Sequence, residues 1–247
     1  MSFDFGEDPI QGGSFENPKI GSWPAVLESV IHIGIIRDTY QGKAKDPAPF
    51  LAVKLVIMDE DNLKSDGSYH EVWKTFPMFN TDKAFMMKFG KAFDPAFPNG
   101  TTKSFDEFIG RVCNVELKPS GATGDDGKPK FVNVGSISGL SGTLGKVISA
   151  AYDEAGRKPL GYFKHDEITP AVLEDMSSMV AQQFVTADNL EPGCPAHDAL
   201  LKVRESDADF GKRKKKEDGD QQASQGGQGS APQPQEQDPN LDGNQEF

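Results

Sequence analysis

Apolar positions along the first half of the chain fall into short runs with the spacing of strands. Residues 25–37, AVLESVIHIGIIR, are rich in Val and Ile and predict a long strand, with Gly34 as a bulge or bend. Residues 38–49, DTYQGKAKDPAP, form a loop with two prolines, and FLAVKLVIM at 50–58 is the next strand. In it Leu51, Val53, Leu55 and Ile57 share the face expected in the core, and Phe50, Lys54 and Met58 share the other. Asp66-Gly67 marks a tight turn. YHEVWKTF at 69–76 then alternates, with Tyr69, Glu71 and Trp73 on one face and His70, Val72, Lys74 and Phe76 on the other. Pattern alone leaves open which set faces outward.

The period then lengthens. TDKAFMMKFGKAF at 81–93 opens on Thr81 as a candidate N-cap and places Phe85, Met86, Phe89 and Phe93 on one helical face. A short helical turn at 105–109, a strand at 111–118, a hairpin loop and a strand at 130–137 complete the run. Residues 141–205 change character: helices are expected over 142–153, over 169–186 with Pro170 in its first turn, and over 197–204. GRKPLGYFKHDE between the first two reads as loop or a short hairpin. Gln, Gly, Ser and Pro dominate 219–240, where no core can form. The expected organisation is a flexible N-terminal arm (1–24), a strand-rich domain (25–140), a helical extension (141–210) and a disordered, basic-then-acidic tail (211–247).

Composition agrees with a partly unpacked chain, since hydrophobic residues make up 36% of the 247 against roughly 45–50% in ordinary domains. Two cysteines, Cys113 and Cys194, cannot build a disulfide scaffold, so a reducing, cytoplasmic location is expected. No apolar run is long enough for a membrane span, and the acidic N-terminus does not read as a secretory signal. The net charge of -12 is segregated. Residues 25–140 are nearly neutral at -1, KRKKK at 212–216 carries +5, and 217–247 carries -7. Segregated charge can serve two partners.

Five strands with a helix between the third and fourth is the order of a five-stranded OB-fold barrel, mainly β, which binds oligonucleotides across strands two and three between the loops joining strands 1–2 and 4–5. Candidate single-strand contacts follow from that placement. They are Tyr40, Lys43 and Lys45 in the first loop, Phe50 and Lys54 on strand two, Trp73, Lys74 and Phe76 on strand three, and Lys128, Lys130 and Phe131 by the last loop. Aromatic faces stack on bases and lysines follow phosphates, so such binding is largely sequence-independent. No phosphate-loop, dinucleotide, zinc-protease or nucleophile-elbow motif is present, so neither catalysis nor a cofactor is expected. Cys194 and His197 have the spacing of half a zinc site, without a second half in sequence.

The OB-like order of 25–140, the linker SQGGQGSAPQPQEQ and the ending QEQDPNLDGNQEF resemble phage and bacterial single-stranded DNA-binding proteins. There an OB core is followed by a flexible linker and an acidic tip ending in phenylalanine. The resemblance implies coating of single-stranded DNA in the host cytoplasm during replication, recombination or repair. It also implies that the tip, here Asp238, Asp242, Glu246 and Phe247, recruits partner proteins or competes with DNA. Glu246 stands where the bacterial tip usually carries a proline. The helical extension would be a dimerisation or partner surface. The rival reading is a phage structural or assembly protein, a scaffold or tail component that does not bind nucleic acid.

Overall fold

One sixteen-residue strand, β1 (Gly21–Ile36), organises the molecule, whose computed structural model describes residues 16–40, 43–121, 127, 129 and 131–212. Its Val- and Ile-rich middle is buried, as a strand with neighbours on both edges and both faces must be. Along one edge it pairs antiparallel with β4 (Ala48–Ile57), from Ala25↔Ile57 to Ile36↔Ala48. Two register shifts, between Leu27 and Ser29 and between His32 and Gly34, bend it. Gly34 has φ 116°, and a Cβ there would lie 2.6 Å from Asn189 Oδ1 and 2.7 Å from the Ala187 Cβ. A side chain is excluded both by that space and by the backbone.

Along its other edge, Gly21–Val26 pair antiparallel with β6 (Val112–Pro119). The expected N-terminal arm therefore ends sooner than residue 24, because Gly21–Pro24 belong to the sheet. Just before them, the Lys19 N–H donates to Asn62 Oδ1 at 2.9 Å, and Trp23 Nε1 donates back to the Lys19 carbonyl at 2.7 Å. Beyond Val26 the edge of β1 is taken over by β8 (Gly161–Phe163), parallel to it at Ser29–Ile31. The GYF stretch is thus neither loop nor hairpin: it fills the edge that β6 leaves.

With β5 (Glu71–Pro77) and β7 (Val132–Gly139) the hydrogen-bonded order is β5-β4-β1-β6-β7, with β8 as the sixth strand. The protein is mainly β, an antiparallel sheet plus helices. The expected closed five-stranded barrel is corrected: among the described residues β5 and β7 are edges, not partners. Part of the reason lies in α1 (Phe85–Phe93), whose Met86 and Phe89 share one core with Phe76 of β5 and Val134 and Ile137 of β7. Phe76 meets Phe85 at 4.9 Å and Phe89 at 5.5 Å between ring centroids. The helix starts at Phe85 rather than near Thr81, behind Ala84, which supplies no side-chain cap.

The sheet is buried on both faces. Leu51, Val53, Leu55 and Ile57 of β4 face the α1 side, as the alternation predicts. Phe50 and Ala52 pack with Ile31 and Ile33 against α3 (Pro170–Asp175), α4 (Ser178–Phe184) and α5 (Pro195–Ser206). Val26, Val56 and Met58 pack against Ile148 and Tyr152 of α2 (Gly142–Glu154). The helical segment therefore lies directly on the sheet, within the same compact unit. The single helix expected over 169–186 is two, since Met176 is extended and the Ser177 hydroxyl caps the second by accepting from the Val180 N–H. None of the described helices is long and apolar enough to cross a membrane.

Candidate nucleic-acid interface

The candidate contacts separate into four groups. The first lies at one end of the sheet. β1 and β4 are joined there by a hairpin of β2 (Thr39–Tyr40) and β3 (Lys43–Ala44), with Tyr40 paired to Lys43 through the backbone. Lys43 and Lys45 are exposed, and Lys45 forms an ion pair with Asp38 at 3.2 Å. β5 ends beside this hairpin, because Phe50 pairs with Pro77 and the Met78 N–H donates to the Pro49 carbonyl. Phe79, just beyond, is 47% exposed. The side chain of Tyr40, and Lys128 and Lys130, lie outside the described residues.

Along β5 the alternation places Trp73 and Lys74 on opposite faces of an edge strand, both half-buried. Trp73 packs against the helical side, with Lys54 Nζ 5.9 Å from its ring centroid. Lys74 lies on the α1 side, its Nζ 5.3 Å from the Phe85 ring. No carboxylate within 4 Å balances it among the described residues, and burial alone pushes its pKa down. An ammonium held partly out of water without a counter-charge is costly, and an approaching phosphate relieves that cost. Lys88, one turn along α1 from Phe85, is exposed.

Phe131 is also 47% exposed, but it sits at the other end of β1. It precedes the Pro119↔Val132 pair, and β6 runs back from there to the start of β1 at Gly21↔Leu117. The register therefore does not bring Phe131 together with the Lys43 and Lys45 hairpin.

The fourth group is buried, which corrects its assignment as a nucleic-acid surface. Phe76 belongs to the α1-side core and Phe50 to the helix-side core. Lys54 is 3% exposed. Its Nζ meets Asp175 Oδ1 at 2.6 Å, Glu28 Oε2 at 3.0 Å and Glu71 Oε2 at 3.2 Å. The Arg157 guanidinium bridges Glu28 Oε1 at 2.8 Å and Glu71 Oε1 at 2.5 Å, and the Tyr152 hydroxyl donates to Glu28 Oε1 at 2.8 Å. Burial works to lower the Lys54 pKa, and its hydrogen bonds to Asp175 and Glu28 outweigh it, holding the ammonium above the usual range. Burial likewise works to raise Glu71, and Arg157 and Lys54 outweigh it, so this carboxyl lies below the usual range. These five charged groups tie β1, β4 and β5 to α3 and to the chain just after α2. Lys54 is an anchor of the fold.

Phe79, Lys88 and the network partners Glu28, Arg157 and Asp175 were not singled out from sequence. A phenylalanine just past a strand and a lysine in an amphipathic helix carry no signal of their own. Glu28 did carry one: like Lys54, it interrupts a long apolar strand, and opposite charges so placed on neighbouring strands are expected to pair. The half zinc spacing has a local explanation, since Cys194 Sγ caps α5 by accepting from the His197 N–H at 3.4 Å. No protein-family model matches the chain, and no curated protein or solved structure is significantly similar to it.

Proposed function

We propose that this chain is a single-stranded DNA-binding protein, not an enzyme, built on an open OB-type sheet, and that it coats unpaired strands with little regard to sequence. Counting the five long strands in chain order, their sequence across the sheet is third, second, first, fourth, fifth, with a helix between the third and fourth. That order suits an OB-type fold, a class that is itself partly open. The outer face of the second strand is covered by helices, so the path left for a strand runs along the edge strand β5. It passes from the Lys43 and Lys45 hairpin by Phe79 to Lys74 and Trp73. The observation that carries the reading is Lys74, half-buried, against an aromatic ring and without a neutralising carboxylate among the described residues. Lysines and aromatic rings along one edge are what a sequence-tolerant single-strand site needs. The acidic segment 217–247 is proposed to compete with DNA for these cations and to recruit replication or recombination proteins through Phe247, in the host cytoplasm.

The test is a fluorescence titration with thymidine oligomers against a duplex at two salt concentrations, on the full chain and on a chain ending at residue 216. Expected are preference for the single strand, a steep salt dependence, and tighter binding by the shorter chain at low salt. Lys74→Ala is expected to weaken binding about fivefold and to reduce the salt slope by about 0.7. Because burial depresses its pKa, Lys74 loses its proton earlier than an ordinary lysine as pH rises. Affinity should therefore decline on the alkaline side in the wild type, and Lys74→Arg should flatten that decline. If neither chain binds unpaired thymidine oligomers at low ionic strength, the reading is wrong.

A further inference from the structure

Behind the buried network, β1, β8 and α3 enclose a cleft of about 210 Å³. Its buried end is polar, and its outer part is lined by Leu160, Ala171 and Thr169. On the floor lies Ser29, fully buried, whose Oγ has no hydrogen-bond partner among the described residues. Asp175 also lines the cleft: Oδ1 is bonded to Lys54, and Oδ2, buried, has no partner among the described residues. The walls are Ile31, Val172 and Phe163, and Leu160 at the mouth is 46% exposed.

Among the described residues the network is short of one positive charge. Glu28, Glu71 and Asp175 supply three negative charges, and Lys54 and Arg157 supply two positive ones. A carboxylate oxygen that is screened from water and has no donor attracts a cation. Here the unmatched oxygen, Asp175 Oδ2, borders the cleft, and the unpartnered Ser29 hydroxyl borders it too. Apolar walls above them do not suit a bare metal ion, which needs several oxygen ligands. They suit a cation that carries its own hydrocarbon. A cleft of this size leaves room for a small alkylamine.

We propose that this cleft binds a small primary alkylammonium ion, its head donating to Asp175 Oδ2 and Ser29 Oγ and its chain lying against Phe163 and Leu160. The site is independent of the nucleic-acid reading, and binding there restores charge balance where the helices join the sheet.

The experiment is calorimetric titration of the full chain, without DNA, with n-butylammonium chloride, and in parallel with n-butanol and potassium chloride. Expected is one saturable site for n-butylammonium, with a dissociation constant on the order of 1 mM for so small a ligand, and no saturable response to the other two. Ser29→Ala should weaken binding about tenfold. Ala171→Phe, at the exposed start of α3, should block the mouth and abolish binding while the circular dichroism spectrum and melting temperature stay those of the wild type. If Ser29→Ala fails to fold, Ala171→Phe still decides. Equal binding of n-butanol would make this a neutral apolar cavity, and an equal response to potassium would make it ionic screening. Either result, the absence of saturation, or undiminished binding by Ala171→Phe overturns the proposal.

Discussion

Replacing Lys54 with alanine is expected to destabilise the protein by about 3–5 kcal/mol, the range for removing one partner of a buried ion pair. The loss comes mainly from what is left behind. Glu28 is 3% exposed, and its carboxylate would keep only Arg157 and the Tyr152 hydroxyl. Glu71 and Asp175 are less enclosed, at 32% and 28% side-chain exposure, and can turn to water. Lys54→Met should recover part of the loss by refilling the space, and Lys54→Met with Glu28→Gln more, because it removes the stranded charge. Urea unfolding at pH 7 measures all three. The pH dependence has a definite sign. Lys54 is raised in the folded state, so its contribution is present below its unfolded pKa and is lost only as pH rises through the folded one, above roughly 10.4. Glu71 is lowered, so its contribution is present above roughly 4.3 and is lost as pH falls through the folded value. Stability from this network should therefore hold flat from pH 6 to 9, and the variant should have a shallower acid limb. Any Lys54→Ala molecules that do fold should bind oligonucleotide as the wild type does, because the ammonium does not reach the surface. A stable variant with weakened DNA binding would restore Lys54 to the interface.

That reassignment shows where sequence reasoning held and where it stopped. The succession of strands and α1 was legible because each element carries its own periodicity and the turns between them carry Asp-Gly or Pro. Gly34 was legible as a bulge for the same local reason. What alternation could not supply was the second layer. In β4 the rule of one core face and one outer face put Phe50 and Lys54 outside, yet FLAVKLVIM is almost continuously apolar, the mark of a strand buried on both faces. The covering helices come more than 100 residues later, and nothing in their own pattern says which surface they meet. The three-residue strand β8 was illegible because its identity comes only from the free edge of β1. The open seam between β5 and β7 depends on α1 wedging its rings against both, a packing outcome rather than a pattern. Of the candidate contacts, Lys43, Lys45 and Phe131 are at the surface, and Trp73 and Lys74 are half-buried. Phe50, Lys54 and Phe76 were misplaced by that same missing layer.

The seam itself makes the second large effect predictable. Phe89→Ala is expected to cost about 3–5 kcal/mol, the range for truncating a buried aromatic ring. Phe89 is fully buried at the centre of a phenylalanine cluster, with ring centroids of Phe76, Phe93, Phe105 and Phe108 within 5.2–6.1 Å. Those four rings come from β5, the end of α1 and the 3-10 turn at Phe105–Phe108, so no single element can move in to fill the hole. Gly90 sharpens the constraint, because a Cβ there would lie 2.2 Å from the Phe97 ring. Helix and ring are already as close as glycine allows, so collapse around the cavity should be limited. Phe89→Leu, which keeps much of the volume, should cost roughly half as much. Thermal and urea unfolding give these values, and a Phe89→Ala loss below about 1 kcal/mol would show that the cluster repacks freely. α1 also carries Phe85, the ring against which Lys74 rests, so loosening this helix has a functional reach that Lys54→Ala lacks. At a temperature where it remains folded, Phe89→Ala should bind unpaired DNA more weakly and with a smaller salt slope, as Lys74 loses its seat. Lys54→Ala, of comparable instability, should not, and that contrast separates general destabilisation from loss of the β5 edge as a binding path.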